Sequence, residues 1–132
     1  IAVLGVGCRR GIGQQAMEEA FAALLAQSGL CAEAFYKVCS IDLKRDEPGL
    51  RAFCAAHGFA FETFSAAQLA AVEGRFSSSG FVQSVTGVDN VCERSAVLGS
   101  GGTLYCKKQA GGGVTMAAAM APFAPDWRWQ DE

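Results

Sequence analysis

The chain has 132 residues, of which 51% are hydrophobic and 18% are charged, and its formal net charge is −2. This length and balance predict one globular domain with a substantial core. The acidic net charge argues against a general affinity for nucleic acid or an anionic membrane surface, and no apolar run approaches the roughly 20 residues of a transmembrane helix. No signal-peptide pattern is visible in the chain, which begins at Ile1, so the expectation is a cytoplasmic protein.

An apolar run opens the chain and leads through a glycine-rich turn into a long amphipathic segment. The turn contains Gly7, Cys8, Arg9, Arg10 and Gly11. Glycines allow tight turns and close approach of a ligand, while the free amides at a helix start and two guanidinium groups favour an anion. The sequence therefore predicts a strand, an anion-binding loop and a helix in this order.

Helices and strands alternate along the rest of the chain. Apolar residues of period 3.6, capping residues and terminal glycines predict helices over residues 14–28, from Pro48 to Gly58, from Ser65 to about Glu73, over residues 81–85 and from Asn90 to about Leu98. The predicted strands after the first are residues 34–41, 59–64, 103–108 and 114–120, the last two joined by a turn at Gly111–Gly113.

This alternation predicts an α/β fold. We expect three layers, α/β/α, with a mixed, mostly parallel sheet and an antiparallel C-terminal hairpin. Residues 1–121 are interpreted as one α/β domain and residues 122–132 as a C-terminal tail, in which Trp127 and Trp129 have no clear partner.

Six cysteines, at positions 8, 31, 39, 54, 92 and 106, lie mostly in apolar surroundings, and none forms a Cys-x-x-Cys pair. The pattern indicates reduced thiols rather than a disulfide framework. Cys54 and His57, three residues apart on a predicted helix, are an alternative metal pair, but no further ligands accompany them. We favour a position of His57 at the helix end, where an imidazole suits the helix dipole, and predict neither a metal site nor a cofactor.

Charged residues occupy positions 42–47, directly after the second strand. Loops at the carboxyl ends of the strands surround the ligand crevice of an open α/β sheet, so this loop should lie beside the glycine-rich turn. Asp42 and Lys44 are expected to face the crevice, whereas Arg45 and Asp46 are interpreted as solvated. Asp42 falls later than the ribose-binding acid of a dinucleotide fold, and the glycine spacing fits that motif loosely, so nicotinamide binding and a plain tight turn are weaker alternatives.

A third segment, residues 86–96, is another turn that leads into a helix start. Glu93 in this segment is interpreted either as a capping residue or as a carboxylate that acts as a general acid or base. Gly87 precedes it in the turn, and Lys107 and Thr115 follow on the last two strands.

The order and spacing of these segments resemble one family. The shared motifs are GVGCRRG, IDLKRDE, TGVDNVCERSA, YCK and VTMAAA. Over about Ile1 to Met120, the chain is similar to the family formed by the C-terminal domain of the cobalamin biosynthesis protein CbiG and its free-standing relative CobE. Asn90 and Ser95 stand where smaller residues such as Ser and Ala are commoner.

The resemblance implies a role in cobalamin (vitamin B12) biosynthesis, with a precorrin-type tetrapyrrole intermediate as the ligand. The full CbiG protein is linked to hydrolysis of cobalt-precorrin-5A, in which a δ-lactone is opened and a two-carbon fragment leaves as acetaldehyde. The resemblance covers only the C-terminal part of that protein, so a hydrolytic role and a binding or carrier role both stay open.

A binder of such a macrocycle needs cations, amide donors and an apolar floor. The predicted substrate-binding residues are Gly7, Cys8, Arg9, Arg10, Gly11, Lys44, Gly87, Lys107 and Thr115. If the lactone is opened, Glu93 and Asp42 are the candidate bases and the loop 9–13 is the candidate oxyanion site. Cys8 with a lowered pKa is an alternative nucleophile.

Two rival functions stay open beside this one. The first is a small nucleotide- or phosphate-binding enzyme that uses the N-terminal glycine-rich loop, and the second is a non-catalytic helper subunit of another corrin-pathway enzyme. Formation of a homodimer is a further alternative that the sequence leaves open.

Overall fold

The computed structural model describes residues 1–73 and 90–122. The strands within these ranges are β1 (Ala2–Cys8), β2 (Phe35–Ile41), β3 (Ala60–Phe64), β4 (Thr103–Gly111) and β5 (Val114–Met120). The helices are α1 (Gln14–Ser28), α2 (Pro48–His57), α3 (Ala66–Ala70) and α4 (Val91–Ser100), with short 3-10 helices at Ala32–Ala34 and Asp42–Lys44.

The strands form one sheet in the order β3-β2-β1-β5-β4. β1 pairs in parallel with β2, and β2 with β3, while β5 runs antiparallel to both β1 and β4. Only β5 among these five strands therefore points against the others. The predicted α/β fold with a mixed sheet and a C-terminal hairpin is confirmed.

Two apolar clusters cover the two faces of the sheet. On one face α1 and α2 bring Phe21 and Phe53 against Leu4 of β1. The rings of Phe21 and Phe53 meet edge to face, with their centroids 5.5 Å apart. On the other face Leu69 of α3 and Val91 of α4 belong to a cluster with β2 and β3. Alternate residues of each strand point to opposite faces, which produces the three layers.

The helix ends follow the predicted signals with some corrections. Gly29 ends α1 with a left-handed φ of 76°, and Ser65 and Gln68 form the predicted capping box. The helix that this box begins stops at Ala70, earlier than predicted, and α4 continues to Ser100, beyond the predicted Leu98. Glu47 occupies the N-cap position of α2, but its side chain makes no cap hydrogen bond to that helix.

Some predicted features lie outside the described residues. These are the short helix at residues 81–85, the turn with Gly87, and the tail with Trp127 and Trp129. Within the two described ranges, no helix combines the length and the apolar character needed to cross a membrane.

Helix α4 lies directly on the backbone of the central strand β1. A Cβ atom placed on Gly5 would collide with the carbonyl oxygen of Cys92 and come within 2.9 Å of the Ala96 side chain. At the other end of the helix, a Cβ on Gly99 would collide with the thiol of Cys39. Glycine is therefore needed at Gly5, where strand and helix approach within backbone contact, and it lets the helix pack on the Cys39 side chain at Gly99.

We predict that Gly5→Ala lowers the free energy of unfolding by about 2 kcal/mol, because the new methyl group must push α4 off the sheet. Gly111→Ala is the matched control, since a Cβ there meets nothing within 4 Å and the φ of Gly111 lies outside the left-handed region. Urea denaturation of both variants measures the difference. Equal stability of the two variants would contradict the close approach of α4 to β1.

Candidate ligand-binding site

The carboxyl ends of the parallel strands meet several loops at one edge of the sheet. Cys8, the last residue of β1, pairs with Val114 at the start of β5, and Ile41 pairs with Phe64 at the ends of β2 and β3. The α4 helix begins at this edge too, since Val91 lies near Gly7. We call this region the carboxyl edge. It is where a ligand crevice is expected in an open α/β sheet.

The glycine-rich turn is held at the carboxyl edge by both of its neighbours. The Arg9 N–H donates a hydrogen bond to the Gly113 carbonyl in the β4–β5 turn, with an N–O distance of 2.9 Å. The Gly11 N–H donates to Oε1 of Glu47 at 3.0 Å. The expectation that the turn and the loop 42–47 lie side by side is thus confirmed.

These two loops carry four cations, of which three, Arg9, Arg10 and Lys44, are predicted to bind the ligand. Arg9 and Arg10 are exposed, whereas Lys44 is largely buried, with 8% of its surface accessible. None of the three side chains makes a hydrogen bond or an ion pair with a residue in the described parts of the chain. Burial of Lys44 covers mainly its stem, since none of the side-chain nitrogens and oxygens in the described residues is both buried and without a partner. Its ammonium group therefore reaches the surface and has capacity for an anion.

The start of α1 adds amide donors to this region. Gly13 is the N-cap residue, it offers no side-chain acceptor, and no acidic residue lies in the first turn of the helix. The first amides of a helix have no partner within it and carry partial positive charge, which favours an anion. The start of α1 therefore adds backbone donors to the arginines and the lysine at this edge.

Asp42 and Leu43 lie beside Lys44 in the 3-10 helix that follows β2. The Asp42 carboxylate is exposed, and no hydrogen bond to it occurs among the residues that the structure describes. Leu43 exposes 63% of its surface. This short segment thus presents an unengaged carboxylate and an apolar side chain at the same edge.

Glu93 is buried, with 1% of its surface accessible, and both of its carboxylate oxygens accept hydrogen bonds. Oε1 accepts from Nδ2 of Asn90 at 2.6 Å, and Oε2 accepts from the Lys108 N–H at 2.7 Å. Asn90 has a left-handed φ of 51° and accepts the Glu93 N–H with its Oδ1. Glu93 therefore ties the start of α4 to β4, a long-range contact that sequence spacing does not reveal.

Gly7, Cys8 and Thr115 lie together where β1 meets β5. The Thr115 hydroxyl donates to the Gly7 carbonyl at 3.3 Å. Burial raises the pKa of the Cys8 thiol to about 11; the charge of Lys44 opposes this rise and that of Glu47 adds to it. The interpretation of Cys8 as a nucleophile with a lowered pKa is wrong, because desolvation outweighs the nearby cation.

Other predicted residues lie elsewhere. Lys107 lines a groove with Gln27 and Ser28 at the C-terminal end of α1, remote from the glycine-rich turn. Gly87 lies outside the described residues. His57 is the last residue of α2, as expected, and its Nε2 lies 2.7 Å from Oε1 of Glu18. Across residues 1–73 and 90–122, no three His, Cys, Asp or Glu side chains are grouped to hold a metal ion.

Comparisons with known proteins agree on one family. A family model described as Cobalamin synthesis G C-terminus matches residues 2–119. The chain is 31% identical over 124 residues to the cobalt-precorrin-5A hydrolase of Priestia megaterium, covering 93% of this chain and 33% of that protein. For the cobalt-precorrin-5A hydrolase of Salmonella typhimurium the identity is 34% over 119 residues, which cover 90% of this chain and 34% of that protein. The chain thus spans about a third of the length of these curated relatives.

A solved structure agrees with this assignment. The crystal structure of CobE, a protein from the cobalamin (vitamin B12) biosynthetic pathway, matches 90% of this chain and 89% of its own chain. The TM-score of this match is 0.84 and the sequence identity is 28%.

We predict that Glu93→Ala lowers the free energy of unfolding by about 2–4 kcal/mol, because the Asn90 side chain and the Lys108 N–H lose their buried acceptor. Glu19→Ala is the control, since it removes an exposed acid that accepts a hydrogen bond from Gln15 on the same helix. Thermal and urea unfolding measure both. A Glu93→Ala variant as stable as Glu19→Ala would contradict the anchoring role.

Proposed function

Because the chain belongs to the Cobalamin synthesis G C-terminus family, we propose that it binds a carboxylate-rich precorrin intermediate at the carboxyl edge of its sheet. The observation that carries this proposal is the group of three cations, Arg9, Arg10 and Lys44, without an anionic partner in the described structure. Precorrins are macrocycles edged with acetate and propionate groups, so they supply the anions that these residues lack.

Different groups at this edge would contribute to binding such a ligand in different ways. Lys44 offers a point charge on a stem that is largely buried, with the ammonium group accessible to a carboxylate of the ligand. Arg9 and Arg10 present planar guanidinium groups that match carboxylates in two-point hydrogen bonds. The amides at the start of α1 add donors of fixed direction.

The apolar part of the macrocycle also needs a surface. Leu43 exposes 63% of its side chain beside Lys44, and Ile12 is half-buried in the turn before α1. Both lie in the two loops that carry the cations. We therefore place one face of the ring against Leu43, with the edge carboxylates directed to the cations.

Opening of the lactone is a second candidate function, because the two relatives are cobalt-precorrin-5A hydrolases. Hydrolysis needs a base that takes a proton from water and donors that stabilise the oxyanion. The Asp42 carboxylate favours this function, since it is exposed and unengaged beside Lys44. Asp42 would act as the base, and Lys44 with the α1 amides would stabilise the oxyanion. The Glu93 carboxylate already accepts two hydrogen bonds and is better suited to its anchoring role.

We predict that the chain binds cobyrinic acid, a corrin with free acetate and propionate groups, and does not bind cyanocobalamin, in which those groups are amides. Arg9→Ala/Arg10→Ala and Lys44→Met are each expected to weaken binding about tenfold or more, because each removes charge-assisted hydrogen bonds. Added salt should also weaken binding of cobyrinic acid by the wild type. A titration followed by visible absorbance measures all of these.

Lys107→Ala removes one positive charge, as Lys44→Met does, and is its control variant. It should bind as the wild type does, because Lys107 lines the groove near Ser28. Equal affinity of the wild type and the arginine double variant would contradict the proposed site. Absence of saturable binding by the wild type would favour a helper subunit, and a preference for nucleotides would favour the rival enzyme.

For lactone opening, we predict that Asp42→Asn lowers the rate of acetaldehyde release from cobalt-precorrin-5A by about 100-fold or more while affinity is retained. The loss arises because the amide cannot accept the proton of water. Asp46→Asn, a change of equal charge at a neighbouring exposed position, should keep the wild-type rate. A wild-type chain that binds the substrate and releases no acetaldehyde would reject hydrolysis and leave the binding function.

A further inference from the structure

The side chain of Glu47 joins the two loops that form the proposed site. Its Oε1 accepts the Gly11 N–H at 3.0 Å, across 36 residues of sequence. We propose that Glu47 is a positioning residue that fixes the Arg9–Gly11 turn against the loop 42–47 and so sets the spacing of the three cations. This inference rests on the proposed function, because it concerns the same site.

The backbone of Glu47 is fixed independently of its side chain. Its N–H donates to the Lys44 carbonyl at 3.1 Å, and its own carbonyl accepts the Arg51 N–H at 3.0 Å. Nη1 of Arg51 in turn donates to the Arg45 carbonyl at 2.8 Å. These hydrogen bonds fix the backbone from which the Glu47 carboxylate extends. They therefore help to define where the carboxylate binds Gly11.

Gly11 is the member of the turn that needs such a contact. Its φ of 79° lies in the left-handed region, and a Cβ there would meet nothing within 4 Å, so its Cβ side faces open space. Close by, a Cβ on Gly49 in the first turn of α2 would collide with the Ile12 carbonyl. Ile12 therefore packs against the start of α2, and Glu47 binds the preceding residue of the turn, Gly11.

The function of Glu47 is not that of a helix cap. It occupies the N-cap position of α2, yet its side chain makes no cap hydrogen bond to that helix. Its hydrogen bond to Gly11 instead holds the two cation-bearing loops together before a ligand arrives. Such preorganisation lowers the entropy cost of binding.

The test compares Glu47→Ala, Glu47→Gln and Asp46→Ala in titrations with cobyrinic acid. We expect Glu47→Ala to raise Kd about fivefold, in line with the loss of one hydrogen bond of ordinary strength. Glu47→Gln should restore a Kd near that of the wild type, because its amide oxygen still accepts the Gly11 N–H. Asp46→Ala removes the same charge from a neighbouring exposed position that makes no such bond, and should leave Kd unchanged or slightly lower.

The sign of the effect separates geometry from charge. Removal of an acid beside an anion site should by itself strengthen anion binding, so weaker binding by Glu47→Ala reports lost positioning. The amide proton resonance of Gly11 gives a second readout without ligand. It should move upfield in Glu47→Ala and stay close to its wild-type position in Glu47→Gln and in Asp46→Ala.

Two results, each obtained with variants that fold, would overturn the inference. An unmoved Gly11 resonance in Glu47→Ala would reject the contact, and a moved resonance with unchanged Kd would reject its role in binding. If the wild type does not bind cobyrinic acid, the proposed function fails and the binding role of Glu47 fails with it. The Gly11 resonance would then still show whether the contact itself exists.

Discussion

The approach of α4 to the bare backbone of β1 determines the arrangement of this molecule. Gly5 has no side chain, so the helix lies against the strand at the level of Cys92 and Ala96. This seating directs the start of α4 toward the carboxyl edge and brings Glu93 within reach of the Lys108 N–H in β4. A single glycine in the central strand thus allows the outer hairpin, the sheet and the second helical layer to be joined.

Polar groups inside the fold and at the carboxyl edge are used in opposite ways. Inside the fold, buried polar side chains are satisfied: Glu93 accepts from Asn90 and from β4, and the Ser40 hydroxyl donates to the Val6 carbonyl. At the carboxyl edge, Lys44 is largely buried without an anionic partner in the described residues. Its ammonium group still reaches the surface, so a ligand can supply the anionic partner. Because the charges of the site come from separate loops, contacts such as that of Arg9 with Gly113 decide the distances between them.

The amino-acid sequence by itself determined the fold class, the order of the elements and the family. Local signals were sufficient for this, since α1 ends at Gly29, Ser65 and Gln68 form a capping box, and the last two strands pair through the Gly111–Gly113 turn. Such features depend on neighbours within a few residues. The topological rule for α/β sheets also placed the glycine-rich turn and the loop 42–47 side by side.

Only the tertiary structure decided what the individual side chains do. Glu47 has the sequence pattern of a helix cap and binds Gly11 instead, and Glu93 has the pattern of a capping box and binds β4. Cys8 stands beside an arginine in the sequence, yet burial raises its pKa to about 11. Hydrogen-bond partners and desolvation depend on residues that are distant along the chain, and for this reason no local pattern could predict them.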